Sequence, residues 1–321
     1  MRVAVVGVGA VGGYFGGHLA HAGEDVAFVD RGKTLEALRK NGLEVHDVKD
    51  SFVVRPAKAT DDPRQVGPVE VVLLAVRGWQ VAGAIETVRP LLATDSVVLP
   101  LMDGVEALDQ LAVAFGKPRV AGAVAVMFGS VVAPGHIRNQ IANTSITIGE
   151  LDGTTSPRMI RVQKAFEHAG VAASISPDIT SARWQKLLLV GPWSAVGAVT
   201  RAPLGVVRSI PQTRRLLEAA MNEVAALARG RGARLPDDVV RHALAELDRG
   251  PAAGVGNMRD VLNGRPSELE TEVGAVVRLG QAAGVRLPVH TFLYASLLPQ
   301  EKHARKEIEF PTSEPESAKV A

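Results

Sequence analysis

Cysteine is absent from this chain, and aromatic residues make up only 4% of its 321 residues. Without cysteine there are no disulfides, no cysteine-ligated zinc and no thiol nucleophile. Glycines interrupt the N-terminal apolar run too early for a secretory signal peptide. No other stretch approaches the ~18 uninterrupted apolar residues that a membrane-spanning helix needs. We therefore expect a cytoplasmic protein that does not associate with membranes.

An excess of either charge is also lacking, because 36 lysines and arginines stand against 34 acidic residues and leave a net charge of +2. The basic residues are scattered rather than clustered, so nucleic-acid binding is not predicted. The eight histidines lie apart from one another in the sequence and show no H-E-x-x-H or similar spacing, so no metal site is predicted. The expected partner is a small-molecule substrate, and a homodimer is left open.

The N-terminus carries the clearest positive signal. The apolar strand pattern of residues 2–6 runs into a G-x-G-x-x-G motif at residues 7–12, and a helix can follow. In such a motif the first glycine permits a tight turn, the second lets the backbone approach a pyrophosphate, and the third lets helix and strand pack closely. The helix N-terminus adds N–H groups for the phosphates. The sequence predicts that a dinucleotide is bound by Gly7, Val8, Gly9, Ala10, Val11 and Gly12.

Two adjacent residues at the end of the second strand pattern bear on the choice of cofactor. A carboxylate at Asp30 would hydrogen-bond the 2′-hydroxyl of an NAD ribose and repel a 2′-phosphate. The guanidinium of Arg31 suits the 2′-phosphate of NADP. From these two residues alone, NADP and NAD both stay open.

Strand and helix patterns alternate through the first half of the chain, which predicts a parallel sheet with helices on both faces. Buried strand patterns lie at 69–76, 96–101 and 120–128. The shorter patterns at 136–139 and 145–149 are predicted to be antiparallel strands that close the same sheet.

The pattern changes after residue 177, because long helical periodicities replace the strand signal. With 46% apolar and 22% charged residues, the chain is a globular one with length enough for two domains. We predict an α/β fold with a Rossmann-type dinucleotide-binding domain over 1–177. An all-helical substrate and catalytic domain follows over 178–300, and a mobile tail over 301–321.

Four further segments follow the glycine motif in a fixed order. They are VRGWQ at 76–80, MDGV at 102–105, ARWQKL at 182–187 and DVLNGRPSELE at 260–270. Together with the glycine motif and Arg31, they resemble the ketopantoate reductase (2-dehydropantoate 2-reductase) family over nearly the whole chain. The resemblance implies a helical domain like the C-terminal domain of 6-phosphogluconate dehydrogenase. It also implies NADP-dependent reduction of a 2-keto acid such as 2-dehydropantoate to pantoate, a step of pantothenate biosynthesis.

The resemblance also implies roles for individual residues. Lys186 matches the family's general acid, and Glu268 matches its active-site glutamate, which could orient the lysine or accept a substrate hydroxyl proton. Arg31 and Arg77 match positions that hold the 2′-phosphate, and Asp103 matches a loop asparagine near nicotinamide and substrate. The residues alone favour a Lys186 that extends from an apolar helix to water, and Glu268 could be an acid placed at a helix start.

The chain departs from the family where the family binds its substrate. Asp103 replaces the loop asparagine, and the two substrate-facing asparagines fall at Val190 and Ser194. The serine that binds the substrate carboxylate falls at Gly256, or at Asn257 if one residue is skipped. A pocket with fewer amides and hydroxyls binds a small polar hydroxy acid less well. Two alternatives follow: a reductase of a more apolar ketone or imine, and a non-catalytic dinucleotide-sensing protein.

Overall fold

The structure, a computed structural model, describes residues 1–48, 50–250 and 256–311, the side chains of residues 256 and 257 excepted. The strands are β1 (Arg2–Val6), β2 (Asp25–Val29), β3 (Leu43–His46), β4 (Ser51–Val54), β5 (Lys58–Thr60), β6 (Val69–Leu74), β7 (Leu92–Pro100), β8 (Ala121–Val126), β9 (Gly129–Ala133), β10 (His136–Asn139), β11 (Ser145–Glu150) and β12 (Ala172–Ile175). The helices are α1 (Ala10–His21), α2 (Gly32–Asn41), α3 (Val81–Val88), α4 (Glu106–Phe115), α5 (Pro157–His168), α6 (Ile179–Thr200), α7 (Leu204–Ser209), α8 (Pro211–Gly230), α9 (Val239–Arg249), α10 (Gly256–Leu262), α11 (Ala275–Ala282) and α12 (Pro288–Ala304).

The N-terminal half is built on a five-stranded parallel sheet with the strand order β5-β2-β1-β6-β7. Its central strand β1 pairs with β2 on one side and β6 on the other, so that Val5 lies between Phe28 and Leu73. These three side chains are fully buried, as expected for strands covered on both faces. The predicted Rossmann-type arrangement is confirmed, and α1 follows the first strand directly.

The later short strands do not close this sheet, so that prediction is wrong. Strand β10 pairs in parallel with β3 and antiparallel with β9, in a separate sheet of order β4-β3-β10-β9, here called the small sheet. Strand β11 lies between β8 and β12 in a third sheet. The small sheet has one buried face, because Ile137 and Val45 are fully buried against α1 while their strand neighbours reach solvent. Strands with a single apolar face form such one-sided layers.

The same strand pairing corrects the expectation that the histidines lie apart. His136 of β10 is in register with Glu44 of β3, and His46 follows two residues later on the same face. These three side chains form a cluster whose donor atoms lie within 4.8 Å of one another. The cluster was not predictable from spacing, since 90 residues separate the two histidines.

Strands give way to helices between β12 and α6. The Asp178 side chain caps α6, because its carboxylate accepts hydrogen bonds from the Ser181 N–H at 3.1 Å and the Ser181 hydroxyl at 2.8 Å. Trp184, Leu187 and Leu188 of this helix are buried in the core of the helical half. Among the described residues, no helix is both long and apolar enough to cross a bilayer.

The predicted tail starts later than residue 301. Helix α12 continues to residue 304, and Glu301 within it is only 2% exposed. Its carboxylate accepts hydrogen bonds from the Ser267 backbone N–H at 3.1 Å and from the Arg305 Nε at 2.7 Å. These buried contacts hold the first part of the predicted tail in the helical domain. Residues 312–321 lie outside the described part of the chain.

Candidate active site

The glycine motif forms a turn between β1 and α1 with the predicted geometry. Gly7 has a φ of +92°, which L side chains rarely adopt. A Cβ on Gly12 would lie 2.1 Å from the Gly7 carbonyl oxygen, so helix and turn pack too closely for a side chain there. At Gly9 a Cβ would have no atom within 4 Å, and no side chain caps the N-terminus of α1. The turn therefore leaves space and backbone N–H groups for a pyrophosphate.

Asp30 supports this turn from the end of β2. One of its carboxylate oxygens accepts the Val8 N–H at 2.6 Å, and the other accepts the Arg31 N–H at 2.7 Å. The Arg31 side chain is exposed, and no hydrogen bond or ion pair joins its guanidinium to the described residues. Arg31 thus leaves a guanidinium beside the dinucleotide turn, while Asp30 holds the turn's backbone.

Glu268 belongs to the helical half and contacts the loop that follows β6. Its carboxylate accepts the Gly78 N–H at 3.1 Å and the Thr271 hydroxyl at 2.6 Å. A Cβ on Gly78 would lie 2.8 Å from Thr271 and 2.9 Å from Glu268, so a side chain there would separate the two halves. Burial raises the pKa of Glu268, and the negative charge of Asp103 adds to the rise. The Thr271 hydroxyl, Arg77 and the Gly78 N–H act in the opposite direction.

Arg77 makes two contacts across the same boundary. Its Nη2 donates to Asp260 at 2.8 Å, and its Nη1 lies 3.6 Å from Glu268. Asp260 is buried and also pairs with Arg265 at 3.0 Å. A 2′-phosphate would therefore compete with two carboxylates for the guanidinium that was expected to bind it. The sequence did not predict that Arg77 pairs with Asp260 and Glu268, although these two acids stand in one motif.

Arg183 ties the first helix of the helical half to the parallel sheet. It is 2% exposed, and its Nη1 donates to the carbonyls of Pro100 at 3.3 Å and Ala123 at 2.8 Å. Its Nη2 donates to the carbonyls of Met102, at 3.3 Å, and Gly104. Burial lowers the pKa of Arg183 to about 10, and the charge of Asp103 opposes this. Arg183 fixes the loop that carries Asp103.

Helix α6 also carries Lys186, one turn after Arg183. Residues three apart share a helix face and are separated by about 4.5 Å along the axis. Lys186 is half-buried, and it forms neither a hydrogen bond nor an ion pair with any residue that the structure describes. This places a partly desolvated ammonium on the helix that Arg183 holds against the end of β7.

Three other positions on α6 follow Lys186 at helical spacing: Val190, Trp193 and Ser194. All three are buried. Within the described chain, the Trp193 Nε1 and the Ser194 Oγ have no hydrogen-bond partner. Buried polar atoms without partners are rare in folded proteins and often mark a place for water or a ligand.

Three predicted substrate-site residues remain: Asp103, Gly256 and Asn257. Asp103 is half-buried, and the adjacent Gly104 lies against Thr271 and accepts a hydrogen bond from Arg183, so Asp103 lies close to the predicted site. Gly256 begins α10. The side chain of Asn257 lies outside the described residues.

A short π-helical segment, Glu270–Gly274, directly precedes α11. It carries Thr271, which contacts Glu268. Insertions of this kind are frequent at functional sites because they redirect the side chains of one turn. The sequence pattern did not reveal it, since one extra residue hardly changes an apolar periodicity.

The ends of β1, β6 and β7 thus meet α6 and the loop of Glu268 at one edge of the parallel sheet, which is where open α/β sheets bind their ligands. Buried acidic and basic groups from the helical half lie at the same edge. Fold and site together define a two-domain, dinucleotide-dependent oxidoreductase.

Comparisons with known proteins agree with this class. The family described as Ketopantoate reductase PanE/ApbA matches residues 3–153, and its C-terminal counterpart, Ketopantoate reductase PanE/ApbA C terminal, matches residues 178–301. The chain belongs to the ketopantoate reductase family. Membership makes it an oxidoreductase, a reductase of a 2-keto acid that uses a nicotinamide dinucleotide.

Individual relatives cover nearly the whole chain. The uncharacterized oxidoreductase YkpB of Bacillus subtilis is 26% identical over 298 residues, which are 92% of this chain and 98% of YkpB. A 2-dehydropantoate 2-reductase of Nostoc is 28% identical over 302 residues, 92% of this chain and 94% of that protein. The crystal structure of a PanE/ApbA family ketopantoate reductase from Ralstonia eutropha gives a TM-score of 0.87 at 30% identity, covering 95% of this chain and 100% of the other.

The pKa of Glu268 gives a testable pH dependence. If its carboxylate must be ionised for turnover, activity falls as the pH drops through its raised pKa. Thr271→Val removes a hydrogen bond that favours the charged form, so the pKa rises further. We expect the acid limb of kcat/KM to move to higher pH in this variant.

The matched control is Thr291→Val on α12, whose hydroxyl donates to the Leu287 carbonyl at 2.8 Å, among residues that carry none of the predicted roles. It should leave the profile in place. An acid limb that stays at the wild-type pH in Thr271→Val would show that Glu268 does not control it.

Proposed function

We propose that this chain reduces the carbonyl of a 2-keto acid with NADPH and that Lys186 is the general acid. The observation that carries the proposal is the position of α6. Arg183 holds this helix against the end of β7, and Lys186 follows one turn later with no partner among the described residues. An ammonium placed there can meet the oxygen of a carbonyl bound at the sheet edge.

The chemistry needs few groups from the protein. Bound NADPH supplies the hydride that adds to the carbonyl carbon. As negative charge develops on the carbonyl oxygen, the Lys186 ammonium stabilises it and donates a proton to that oxygen, giving the 2-hydroxy acid. Lys186 then regains its proton from water. Glu268, fixed by Gly78 and Thr271, accepts a hydrogen bond from the substrate hydroxyl.

The substrate proposed here is larger or more apolar than 2-dehydropantoate. Val190 stands where the family has a substrate-facing amide, and it is 8% exposed on the face of α6 that carries Lys186. Ser194 replaces a second amide with a shorter hydroxyl. Asp103 adds a negative charge where the family has a neutral side chain, which disfavours a second acidic group on the substrate.

A panel of 2-keto acids tests the substrate class through cofactor oxidation. The panel contains 2-dehydropantoate, branched aliphatic and aromatic 2-keto acids, and matched ketones without the carboxylate. The highest kcat/KM is expected for a 2-keto acid with an apolar side chain longer than that of 2-dehydropantoate. A preference for 2-dehydropantoate would contradict the assignment of an apolar pocket, and a preference for the simple ketones would contradict a 2-keto acid.

NADPH is proposed as the cofactor because Arg31 presents an exposed guanidinium while both oxygens of Asp30 accept backbone N–H groups. Arg31→Ala should raise the KM for NADPH by about 10–100-fold, since a charge-assisted hydrogen bond contributes about 1.5–3 kcal/mol. The KM for NADH should change little, as NADH has no 2′-phosphate.

Lys40→Ala, at the other end of α2, is the control for a general loss of positive charge. It should leave both Michaelis constants near the wild-type values. Equal losses for the two cofactors in Arg31→Ala, or a wild-type preference for NADH, would overturn the assignment of NADPH.

A further inference from the structure

The exposed face of the small sheet carries a cluster of donor atoms remote in sequence from the predicted active-site residues. Strands β3 and β10 pair in parallel, which sets His136 beside Glu44 and places His46 two residues along the same face. The alternate residues, Val45 and Ile137, are fully buried on the opposite face. The pleat of a strand pair therefore brings the two imidazoles and the carboxylate together.

The donor atoms of this cluster have the separations of a metal site. The Glu44 Oε1 lies 2.6 Å from the His46 Nε2 and 3.8 Å from the His136 Nε2, and one donor atom from each residue lies within 4.8 Å of the other two. Donors of a tetrahedral zinc ion are about 3.3 Å apart, given bonds of about 2.0–2.1 Å. Small rotations of half-exposed side chains would bring the three atoms to that spacing.

One nitrogen of the cluster forms no hydrogen bond with the described residues. The His136 Nε2 is shielded from solvent, and no hydrogen bond from the described residues reaches it. Ion pairing alone leaves the second imidazole at a long 3.8 Å from the shared Glu44 oxygen, with its ring centre 4.6 Å from that of His46. A shared cation would engage all three groups.

A further contact supports the ligand role of His46. The Ser51 hydroxyl lies 2.9 Å from the His46 Nδ1. Without a metal, Nε2–H donates to the Glu44 carboxylate at 2.6 Å, and Nδ1 accepts from the Ser51 hydroxyl. When a cation binds Nε2, the ring proton moves to Nδ1, which then donates to the Ser51 oxygen. Metal-binding histidines commonly donate their second N–H in this way, which fixes the tautomer and the ring orientation.

The donor set selects the kind of cation. Two imidazole nitrogens and one carboxylate oxygen suit zinc and neighbouring divalent transition metals. Calcium and magnesium prefer six or more oxygen ligands, and the cluster offers one carboxylate. We infer that Glu44, His46 and His136 form a binding site for a divalent transition-metal ion of the zinc type, with water as its fourth ligand.

The site has a structural consequence. It joins β3 to β10, and the buried face of these strands packs on α1, where Cβ atoms on Gly13 and Gly17 would clash with Ile137 and Val45. A metal that binds the folded chain only would stabilise it by mass action. The inference is independent of the proposed reductase activity, since none of the three residues lies among the predicted catalytic or cofactor-binding groups.

The test is a zinc titration of the chelator-treated, full-length chain by calorimetry, with Mg²⁺ as a second probe. We expect about one Zn²⁺ per chain, with a Kd below about 10 μM, and no comparable Mg²⁺ binding. His136→Ala should weaken zinc binding by at least tenfold, and Ser51→Ala by about 10-fold or more through loss of the outer contact. Glu44→Gln, which keeps the shape of the side chain, should also weaken it.

The control is His242→Ala on α9, an exposed histidine 3.4 Å from Asp238. It should bind zinc as the wild type does. Zinc should also raise the melting temperature of the wild type but not of His136→Ala. Circular dichroism before the titration shows whether a variant has lost the zinc site or the whole fold. If His136→Ala does not fold, the zinc affinity of Glu44→Gln tests the site instead. Wild-type binding no tighter than that of Glu44→Gln, or binding lost in His242→Ala, would overturn the inference.

Discussion

Lys186→Ala should lower kcat by roughly 10²–10⁴-fold, the range expected when a positioned general acid is lost. The fold and the affinity for the dinucleotide should be nearly unchanged, because the turn at residues 7–12 and Arg31 lie in the other half of the chain. Lys186→Arg should recover little, since a guanidinium does not release its proton near neutral pH. Single-turnover kinetics with NADPH measures the effect on the chemical step.

The control for this prediction is Lys164→Ala, an exposed lysine on α5. It removes the same charge and chain length from a helix, and turnover should stay at the wild-type rate. Retention of more than about a tenth of the wild-type kcat in Lys186→Ala falls outside the range for a general acid. That result would remove Lys186 from the mechanism.

Arg183→Met should destabilise the chain by about 2–4 kcal/mol. Each buried carbonyl left without a donor costs about 1–3 kcal/mol, and Arg183 donates to three buried carbonyls and a partly buried one. Release of a buried charge from the interior offsets part of that cost. Turnover should fall as well, because the loop that carries Asp103 loses its support. Urea unfolding followed by circular dichroism gives the free energy of unfolding.

Arg241→Met on α9 is the matched control, since its guanidinium is exposed and its contacts with Asp238 and His242 lie at the surface. Exposed ion pairs contribute about 0–1 kcal/mol. If Arg183→Met changes the free energy of unfolding by no more than about 0.5 kcal/mol, the usual range of a surface substitution, Arg183 does not hold the two halves together.

The parts of the fold that local chemistry determines were predictable. The turn at residues 7–12 depends on glycines whose positions have one reason each: a positive φ at Gly7, open space at Gly9 and a close approach at Gly12. The change from strands to helices shows in the periodicity of the side chains. Such signals need no knowledge of distant residues.

Long-range pairing was not predictable from one sequence. In the sequence, Arg183 is only one basic residue in an apolar helix pattern. In the structure its partners are backbone carbonyls 60–83 residues away. Glu268 binds the Gly78 N–H from 190 residues away. The small sheet likewise depends on β3 pairing with β10 rather than with a neighbour in sequence. The burial of Glu301, which stands in a charged segment, likewise depends on a contact with a distant residue, Ser267.

The most direct test of the proposed reductase activity is to trace the hydride that NADPH transfers. The chain is incubated with NADPH carrying deuterium at the transferred position of C4 and with the 2-keto acid of highest kcat/KM, and the product is analysed by proton NMR and mass spectrometry. We expect one deuterium at C2 of a 2-hydroxy acid of single configuration, formed by the wild type and formed roughly 10²–10⁴-fold more slowly by Lys186→Ala. Tight binding of NADPH without transfer of deuterium to any 2-keto acid would contradict the proposed activity and would favour a dinucleotide-sensing protein.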